Sequence, residues 1–220
     1  MIIVMQKHYD NHKEASPRIA RTHASVTAAA LTTLGAIGSA TLAITGLNAA
    51  TQELSAGRIS AAIPLDNGAL DTMSRTWEGD IDSVTGGFAD VTVNGAPSHL
   101  IEAFRMASLT DSATVTIVAL LALIAAVALF AGKLRWNTLA SLTIAGGTTL
   151  AVGSFAAQSL ATTAAEELSI WLYAGNSPWL EPGFLAGINF IPVTVGLGAT
   201  ALGIALRTTG KLATEADGVV

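Results

Sequence analysis

Four long stretches of this chain are rich in apolar residues and lack Asp, Glu, Lys and Arg. The first covers residues 22–52, and the second contains the sequence IVALLALIAAVALF. A helix needs roughly 20 apolar residues to cross the hydrocarbon core of a bilayer, because no backbone polar group can stay unpaired in lipid. All four stretches meet this length. We therefore predict membrane-spanning helices at residues 24–47, 112–132, 138–165 and 183–206.

The first and third predicted spans contain much Ala, Thr, Gly and Ser, so each is only moderately hydrophobic. This composition also fits a buried helix of a soluble protein, but the length of each stretch favours a membrane span. The first span allows a further interpretation, because Leu47-Asn48-Ala49 resembles a signal-peptidase site. We expect an uncleaved helix, since the apolar stretch is longer than that of a usual signal peptide.

The segment between the first two spans, residues 48–111, has the patterns of a small folded unit. Residues 88–95 alternate apolar and polar side chains before an Asn-Gly pair, which predicts a short strand and a hairpin turn, with residues 59–65 as a partner strand. From Ser98 apolar residues recur at helical spacing, which predicts an amphipathic surface helix leading into the second span. The predicted fold class is an all-α integral membrane protein, a bundle of four transmembrane helices with a small mixed α/β external subdomain.

The basic residues are distributed unevenly among the segments that flank the spans. The N-terminal arm (1–23), the loop 133–137 and the tail (207–220) hold eight of the 11: Lys7, Lys13, Arg18, Arg21, Lys133, Arg135, Arg207 and Lys211. The loops 48–111 and 166–182 hold most of the acidic residues. Because Lys and Arg concentrate on the cytoplasmic side of membrane proteins, we predict that both termini and the loop 133–137 are cytoplasmic.

No ionisable residue lies inside any of the four predicted spans. Charged side chains are costly in a membrane, and where they occur they usually mark proton relays, metal sites or transport paths. The chain also lacks cysteine and the phosphate-loop, dinucleotide-binding and nucleophile-elbow motifs. We therefore predict no catalytic residue, no cofactor and no metal site, and a protein that is not an enzyme.

Two acidic clusters nevertheless have a chemical interpretation. Segment 77–82 places Trp77 beside three carboxylates, which could bind a cation through oxygen ligands. It lacks EF-hand spacing, so we favour a solvated loop. Glu166 and Glu167 could form a carboxylate pair, but neighbours on a helix diverge by about 100°, so we favour surface acids among interface aromatic residues. The histidines offer no metal framework: His8, His12, His23 and His99.

Three uncharged polar residues, Asn48, Gln158 and Asn189, are predicted in the outer half of the membrane. They could form one cluster that binds a small ligand or a lipid headgroup, although hydrogen bonding between helices is the commoner use of such residues. Pro192 is predicted to kink the fourth span, because proline removes one backbone hydrogen bond. We favour a static kink over a hinge.

Pairs of small residues four positions apart allow helix backbones to approach closely. They are Gly35/Ser39, Gly147/Ala151, Gly183/Gly187 and Gly196/Thr200. These pairs predict a tight bundle or a dimer without identifying the partner helix. The expected partners are membrane lipid and a protein partner or a second copy of the chain. A nucleic acid is not expected, because there is no basic stripe to bind it.

The C-terminal sequence GKLATEADGVV, which begins at Gly210, resembles the end of a bacterial membrane family known as domain of unknown function 2975. The strand at 90–93 and the helix from 98 into the second span are similar to that family as well, and the resemblance covers about residues 21–220. It implies a bacterial plasma membrane and no known reaction or catalytic residue. Some relatives lie beside small helix-turn-helix regulators, which implies signalling or regulation.

We therefore expect a non-enzymatic accessory, sensing or regulatory membrane component, with output surfaces at residues 1–21 and 207–220. An alternative of a different class is a small transporter or permease-like subunit for a neutral or lipophilic solute, which would use Gln158, Asn189 and the kink at Pro192. A third interpretation is ligand binding or adhesion by residues 51–111.

Overall fold

The computed structural model describes residues 23–64, 79–85, 88–172 and 188–217. Within these ranges the chain forms four long helices and a three-stranded antiparallel sheet. The helices are α1 (His23–Ser55), α2 (Ser98–Phe130), α3 (Trp136–Leu172) and α4 (Phe190–Asp217), and the strands are β1 (Arg58–Pro64), β2 (Gly79–Thr85) and β3 (Phe88–Asn94). All four helices are long and apolar enough to cross a membrane, which confirms the predicted fold class.

Three helices extend beyond the predicted spans at the end of the molecule that carries the sheet, which we call the sheet end. α1 continues to Ser55 and α3 to Leu172. The 37 residues of α3 extend about 55 Å, well beyond the roughly 30 Å of hydrocarbon. The helix predicted from Ser98 into the second span is confirmed: its residues are the first turns of α2, and no Gly or Pro separates Ser98 from the span.

Successive helices pack against each other in chain order. α1 packs on α2, α2 on α3, and α3 on α4, whereas α1 makes no extensive contact with α3 or α4 within the described ranges. The Ser112 hydroxyl of α2 donates a hydrogen bond to the Ala43 carbonyl oxygen of α1 at 3.4 Å. The four helices therefore pack in series, with α2 lying between α1 and α3, rather than around one shared core.

The backbones of α3 and α4 approach closely at two of the predicted small-residue pairs. A Cβ atom added to Gly147 would lie 2.6 Å from both the Gly196 carbonyl oxygen and the Thr200 backbone nitrogen. One added to Gly196 would lie 2.5 Å from the Ala151 backbone nitrogen. Gly147/Ala151 and Gly196/Thr200 therefore face each other across this interface, which identifies the partner helix that the sequence left open.

The other two small-residue pairs make no comparable interface in the described part of the chain. On α1, a Cβ atom added to Gly35 would have no atom within 4 Å, and Ser39 is exposed. The pair Gly183/Gly187 lies outside the described residues. Small-residue spacing therefore locates the α3–α4 contact and does not describe the surroundings of α1.

α2 ends in a tightly bonded turn at the opposite end of the molecule, which we call the loop end. Gly132 has a φ of 63°, a conformation that favours glycine. The Lys133 backbone N–H then donates to the Ala128 carbonyl oxygen at 2.9 Å, as in a Schellman motif. Leu134 is buried, with 2% of its surface exposed, while Lys133 and Arg135 on either side of it are exposed. The turn thus holds two cations at the surface.

The sheet has the order β1-β3-β2, and β3 pairs antiparallel with both neighbours. The pairing of β1 with β3 confirms the strands predicted at 59–65 and 88–95. β2 was not predicted, because its Gly-Asp-Ile-Asp sequence is rich in residues that strands disfavour. The predicted Asn-Gly hairpin is wrong: Gly95, with a φ of 72°, donates its N–H to the Gly57 carbonyl oxygen at 3.0 Å and leads into α2.

One face of the sheet packs against the sheet-end turns of α1, α2 and α3. The buried side chains, which we call the sheet core, are Leu54, Ile59, Ile63, Val91, Val93, Ala96, Leu100 and Leu168. The opposite face is polar, since Arg58 Nε donates to Asn94 Oδ1 at 3.2 Å and the Ser60 and Thr92 hydroxyls lie 3.2 Å apart. Each fully buried Leu or Ile contributes about 1.5–3 kcal/mol. The sheet core therefore fixes the sheet to three helices.

Candidate functional site

Charged residues mark the depth of α2 in the membrane. No charged residue lies between Asp111 and Lys133, and residues 112–132 rise about 32 Å, which matches the hydrocarbon core of a bilayer. We call this part of the molecule the charge-free layer. Leu100 of the sheet core precedes Asp111 on the same helix, at a distance of about 16 Å along the helix axis. The sheet core therefore lies outside the charge-free layer.

The predicted polar cluster forms only in part. Gln158 Oε1 accepts a hydrogen bond from the backbone N–H of Asn189, and Asn189 Oδ1 accepts one from the Ile191 N–H at 3.0 Å. Both bonds lie at the start of α4, where the backbone N–H groups of a helix have no partner within the helix itself. The two side chains thus cap α4 and connect it to α3. This is the packing use that the sequence favoured.

Asn48 lies apart from the other two members of that cluster. It is exposed on α1, which makes no extensive contact with α3 or α4 among the described residues. The hydrogen bond between Ser112 and Ala43 shows which part of α1 is level with Asp111. Asn48 is about 7 Å farther toward the sheet end. The structure therefore brings together two of the three residues, and places Asn48 at or outside the boundary of the charge-free layer.

The kink predicted at Pro192 is corrected by the position of α4. This helix begins at Phe190, and Ile188 and Asn189 before it are not helical. Pro192 therefore lies in the first turn, where its missing N–H removes no bond within the helix. The uncharged sequence 183–206 suggested one uninterrupted span, whereas the described span starts at the capping residue Asn189.

Acidic groups at the sheet end are exposed in the described ranges, whereas Arg105 is half-buried and its Nε has no hydrogen-bond partner. Glu166 and Glu167 are both exposed, and an ion pair joins Arg105 Nη1 to Glu102 Oε2 at 3.1 Å. No group of three or more His, Asp or Glu residues suited to a metal ion occurs in the described ranges. The acidic segment 77–82 lies partly outside the described residues and partly in β2.

An apolar groove of about 530 Å³ lies between α1, α2 and α3, and Ala199 of α4 also contributes to its lining. Because α2 packs between α1 and α3, it forms the floor of this groove and the other two helices form the walls. Small residues create much of the space, among them Ala28, Ala29, Ala122, Ala125 and Gly146. We call it the loop-end groove. The sequence did not predict it, because small residues near the loop ends of three helices are equally compatible with a filled interface.

The loop-end groove extends from the turn after α2 into the charge-free layer. Its lining on α2 runs from Val118 to Leu129, a rise of about 16 Å. Leu134 and Trp136 line its outer part, and 36% of the Trp136 surface is exposed. The exposed cations of the turn after α2 therefore adjoin the mouth of an apolar groove.

The helices, the sheet core and the charge-free layer define a multi-pass membrane protein with a small sheet outside the spans. No model of a known protein family, no curated protein and no solved structure matches this chain. The resemblance to domain of unknown function 2975 therefore stays a prediction.

Proposed function

We propose that this chain is a non-enzymatic accessory, sensing or regulatory component of a bacterial plasma membrane. The sheet core is the observation that carries this proposal. Leu54, Leu100 and Leu168 attach the sheet to α1, α2 and α3, and each of these helices continues without interruption toward the loop end. A partner or ligand that displaces the sheet would therefore move three spans together and change the surface at the other side of the membrane.

The proposed orientation places the sheet outside the cell and both termini in the cytoplasm. Its support is the distribution of charge: Lys133, Arg135 and Arg207 are exposed at the loop end, whereas Asp111 and Glu166 are exposed toward the sheet end. An excess of Lys and Arg marks the cytoplasmic side of a membrane protein. The resemblance to domain of unknown function 2975 implies a bacterial plasma membrane and a role in signalling or regulation.

This orientation is tested with single cysteines, since the chain has none of its own. Cysteines at Ser83 and Ser177 should react with a membrane-impermeant maleimide on intact cells, whereas one at Thr209 should react only after the membrane is permeabilised. Each variant is its own control when labelled before and after permeabilisation. Labelling of Thr209 on intact cells would reverse the orientation.

The accessory role is tested by extracting the tagged protein in a mild detergent at native expression and identifying what copurifies by mass spectrometry. We expect at least one protein at constant stoichiometry across independent preparations. A tagged membrane protein with a similar number of spans, expressed at the same level, is the control for nonspecific association. Recovery of a monomer or a homo-oligomer alone would contradict the proposal.

A small permease-like subunit for a lipophilic solute is the second candidate, because the loop-end groove offers an apolar site within the charge-free layer. The groove lining on α3 ends near Leu150, well before Gln158, and Gln158 and Asn189 are engaged at the start of α4. A path through the polar pair therefore lacks geometric support. If transport nevertheless uses that pair, Asn189→Leu should abolish solute flux in vesicles without lowering expression.

A further inference from the structure

We propose that the loop-end groove binds one acyl chain of an anionic phospholipid, with the lipid phosphate against Lys133 and Arg135. This inference goes beyond the accessory role and does not depend on it. It assigns a ligand of defined chemistry to a site formed by α1, α2, α3 and the turn after α2.

The groove offers a hydrocarbon surface along its length. Its few side-chain hydroxyl groups are already bonded, since Thr143 donates to the Leu139 carbonyl oxygen at 2.9 Å and Thr32 to the Ala28 carbonyl oxygen at 2.8 Å. Water in the groove would therefore find few hydrogen-bond partners, whereas an acyl chain needs none. The length of about 16 Å on α2 matches half of a hydrocarbon core of roughly 30 Å. The groove therefore fits a chain from one leaflet.

The turn after α2 supplies the complementary charge at the mouth. The Schellman hydrogen bond from the Lys133 N–H to the Ala128 carbonyl oxygen and the buried side chain of Leu134 fix the backbone. Lys133 and Arg135 therefore stay exposed on either side of Leu134. Neither cation makes an ion pair with an acidic residue within the described ranges. Trp136 adds an aromatic side chain at the depth where membrane interfaces favour Trp. Basic pockets between spans are suited to anionic headgroups.

Charge argues against a helix from a second copy as the occupant. Such a helix would offer the two cations no carboxylate within its span, because the four charge-free stretches of this chain contain no Asp or Glu. A neutral lipophilic solute would fit the apolar part but would make no use of the two cations. Charge complementarity therefore selects the anionic lipid.

Native mass spectrometry of the full chain in a mild detergent tests the proposal, with phosphatidylglycerol and phosphatidylcholine of identical acyl chains added at equal concentration. We expect the wild-type protein to retain phosphatidylglycerol preferentially. Replacing both cations, Lys133→Gln and Arg135→Gln, should reduce that preference about 5-fold for each charge removed. Equal retention of the two lipids by the wild-type protein would overturn the proposal, because a neutral ligand or a nonspecific apolar site would then explain the groove.

Filling the groove tests the acyl-chain part. A Cβ atom at Gly146 would meet only Leu121 Cδ1 at 3.9 Å, so Gly146→Leu should fold and occupy the groove. Its matched control is Gly198→Leu on α4, where an added Cβ atom has no neighbour within 4 Å. Gly146→Leu should lower bound phosphatidylglycerol about 10-fold, the effect of displacing roughly two methylene groups, and Gly198→Leu should not.

Two results of this pair of variants would overturn the proposal. The first is an equal effect of Gly146→Leu and Gly198→Leu on bound lipid. The second is a change of oligomeric state in Gly146→Leu at unchanged lipid content, which would identify a second copy of the chain as the occupant. If Gly146→Leu does not accumulate, Ala125→Leu fills the groove from its floor and is expected to give the same loss of lipid.

Discussion

Two adjacent glycines of α3 have opposite surroundings. A Cβ atom on Gly147 would lie 2.6 Å from backbone atoms of α4, whereas one on Gly146 would be in ordinary contact with a single Leu121 methyl group at 3.9 Å. Because neighbouring helical residues point about 100° apart, a Cβ atom on Gly147 would enter the α4 interface and one on Gly146 would enter the loop-end groove, although the backbone of Gly147 also lines the groove. The same residue type therefore closes one interface and leaves the other open.

The difference between the two glycines depends on which residues of the neighbouring helices lie at the same depth. Opposite Gly147 stand Gly196 and Thr200, so the two helix backbones meet closely, with the Thr200 hydroxyl group beside them. On the groove side, α1 and α3 both flank α2 and make no extensive contact with each other in the described part of the chain. Small residues there leave a gap. A small-residue pair thus predicts close packing only where a second pair faces it.

The largest expected effect comes from adding a methyl group to each of the two glycines. Gly147→Ala should lower the free energy of unfolding by about 3 kcal/mol, because its Cβ atom would overlap the α4 backbone. Gly146→Ala is the matched control, and it should be neutral or stabilising by up to about 1 kcal/mol through helix propensity. Reversible unfolding in mixed micelles measures both. Similar losses in the two variants would remove the contrast between the interface and the groove.

An intermediate effect is expected where α2 crosses α3. A Cβ atom on Gly153 would lie within 2.9 Å of three Thr114 side-chain atoms, and a side chain can move more easily than a backbone. Gly153→Ala should therefore lower the free energy of unfolding by about 2 kcal/mol. Thr114→Ala should recover part of this loss in the double variant. Strictly additive effects in that cycle would show that the two residues do not collide.

The smallest effect is expected for the polar residues. Gln158→Leu removes the acceptor for the Asn189 N–H and should lower the free energy of unfolding by about 1 kcal/mol. Asn48→Leu, on an exposed face of α1, should not lower it. The same unfolding assay compares the two variants. A larger loss for Asn48→Leu would indicate that Asn48 has a partner in the membrane.

The spans could be predicted because charged residues, or their absence, can be seen directly along the sequence. Absence of charge from Ser112 to Gly132 is visible in the chain, and it fixes both the existence and the depth of α2. The start of α4 was harder to predict, since residues 183–189 are as uncharged as the span itself. Asn189 before a helix with proline in its first turn was the available signal for a helix start.

The candidate site could be predicted only in part, for a different physical reason. The pairing of Gln158 with the Asn189 backbone follows from two polar residues that need partners in an apolar environment. The loop-end groove has no such local cause. It depends on which side of α2 each neighbouring helix occupies, and residues such as Ala125 and Gly146 are equally compatible with a filled interface.

The stretch of α2 from Leu100 to Asp111 has a consequence for the reach of any partner. Its length of about 16 Å exceeds the 5–8 Å that headgroups add on each side of a hydrocarbon core. Together with the matching turns of α1 and α3 it forms a stalk, and the polar face formed by Ser60 and Thr92 stands clear of the lipid surface. A soluble domain can dock there without touching lipid, whereas a membrane-embedded partner must carry a domain outside the membrane that extends at least as far as the stalk.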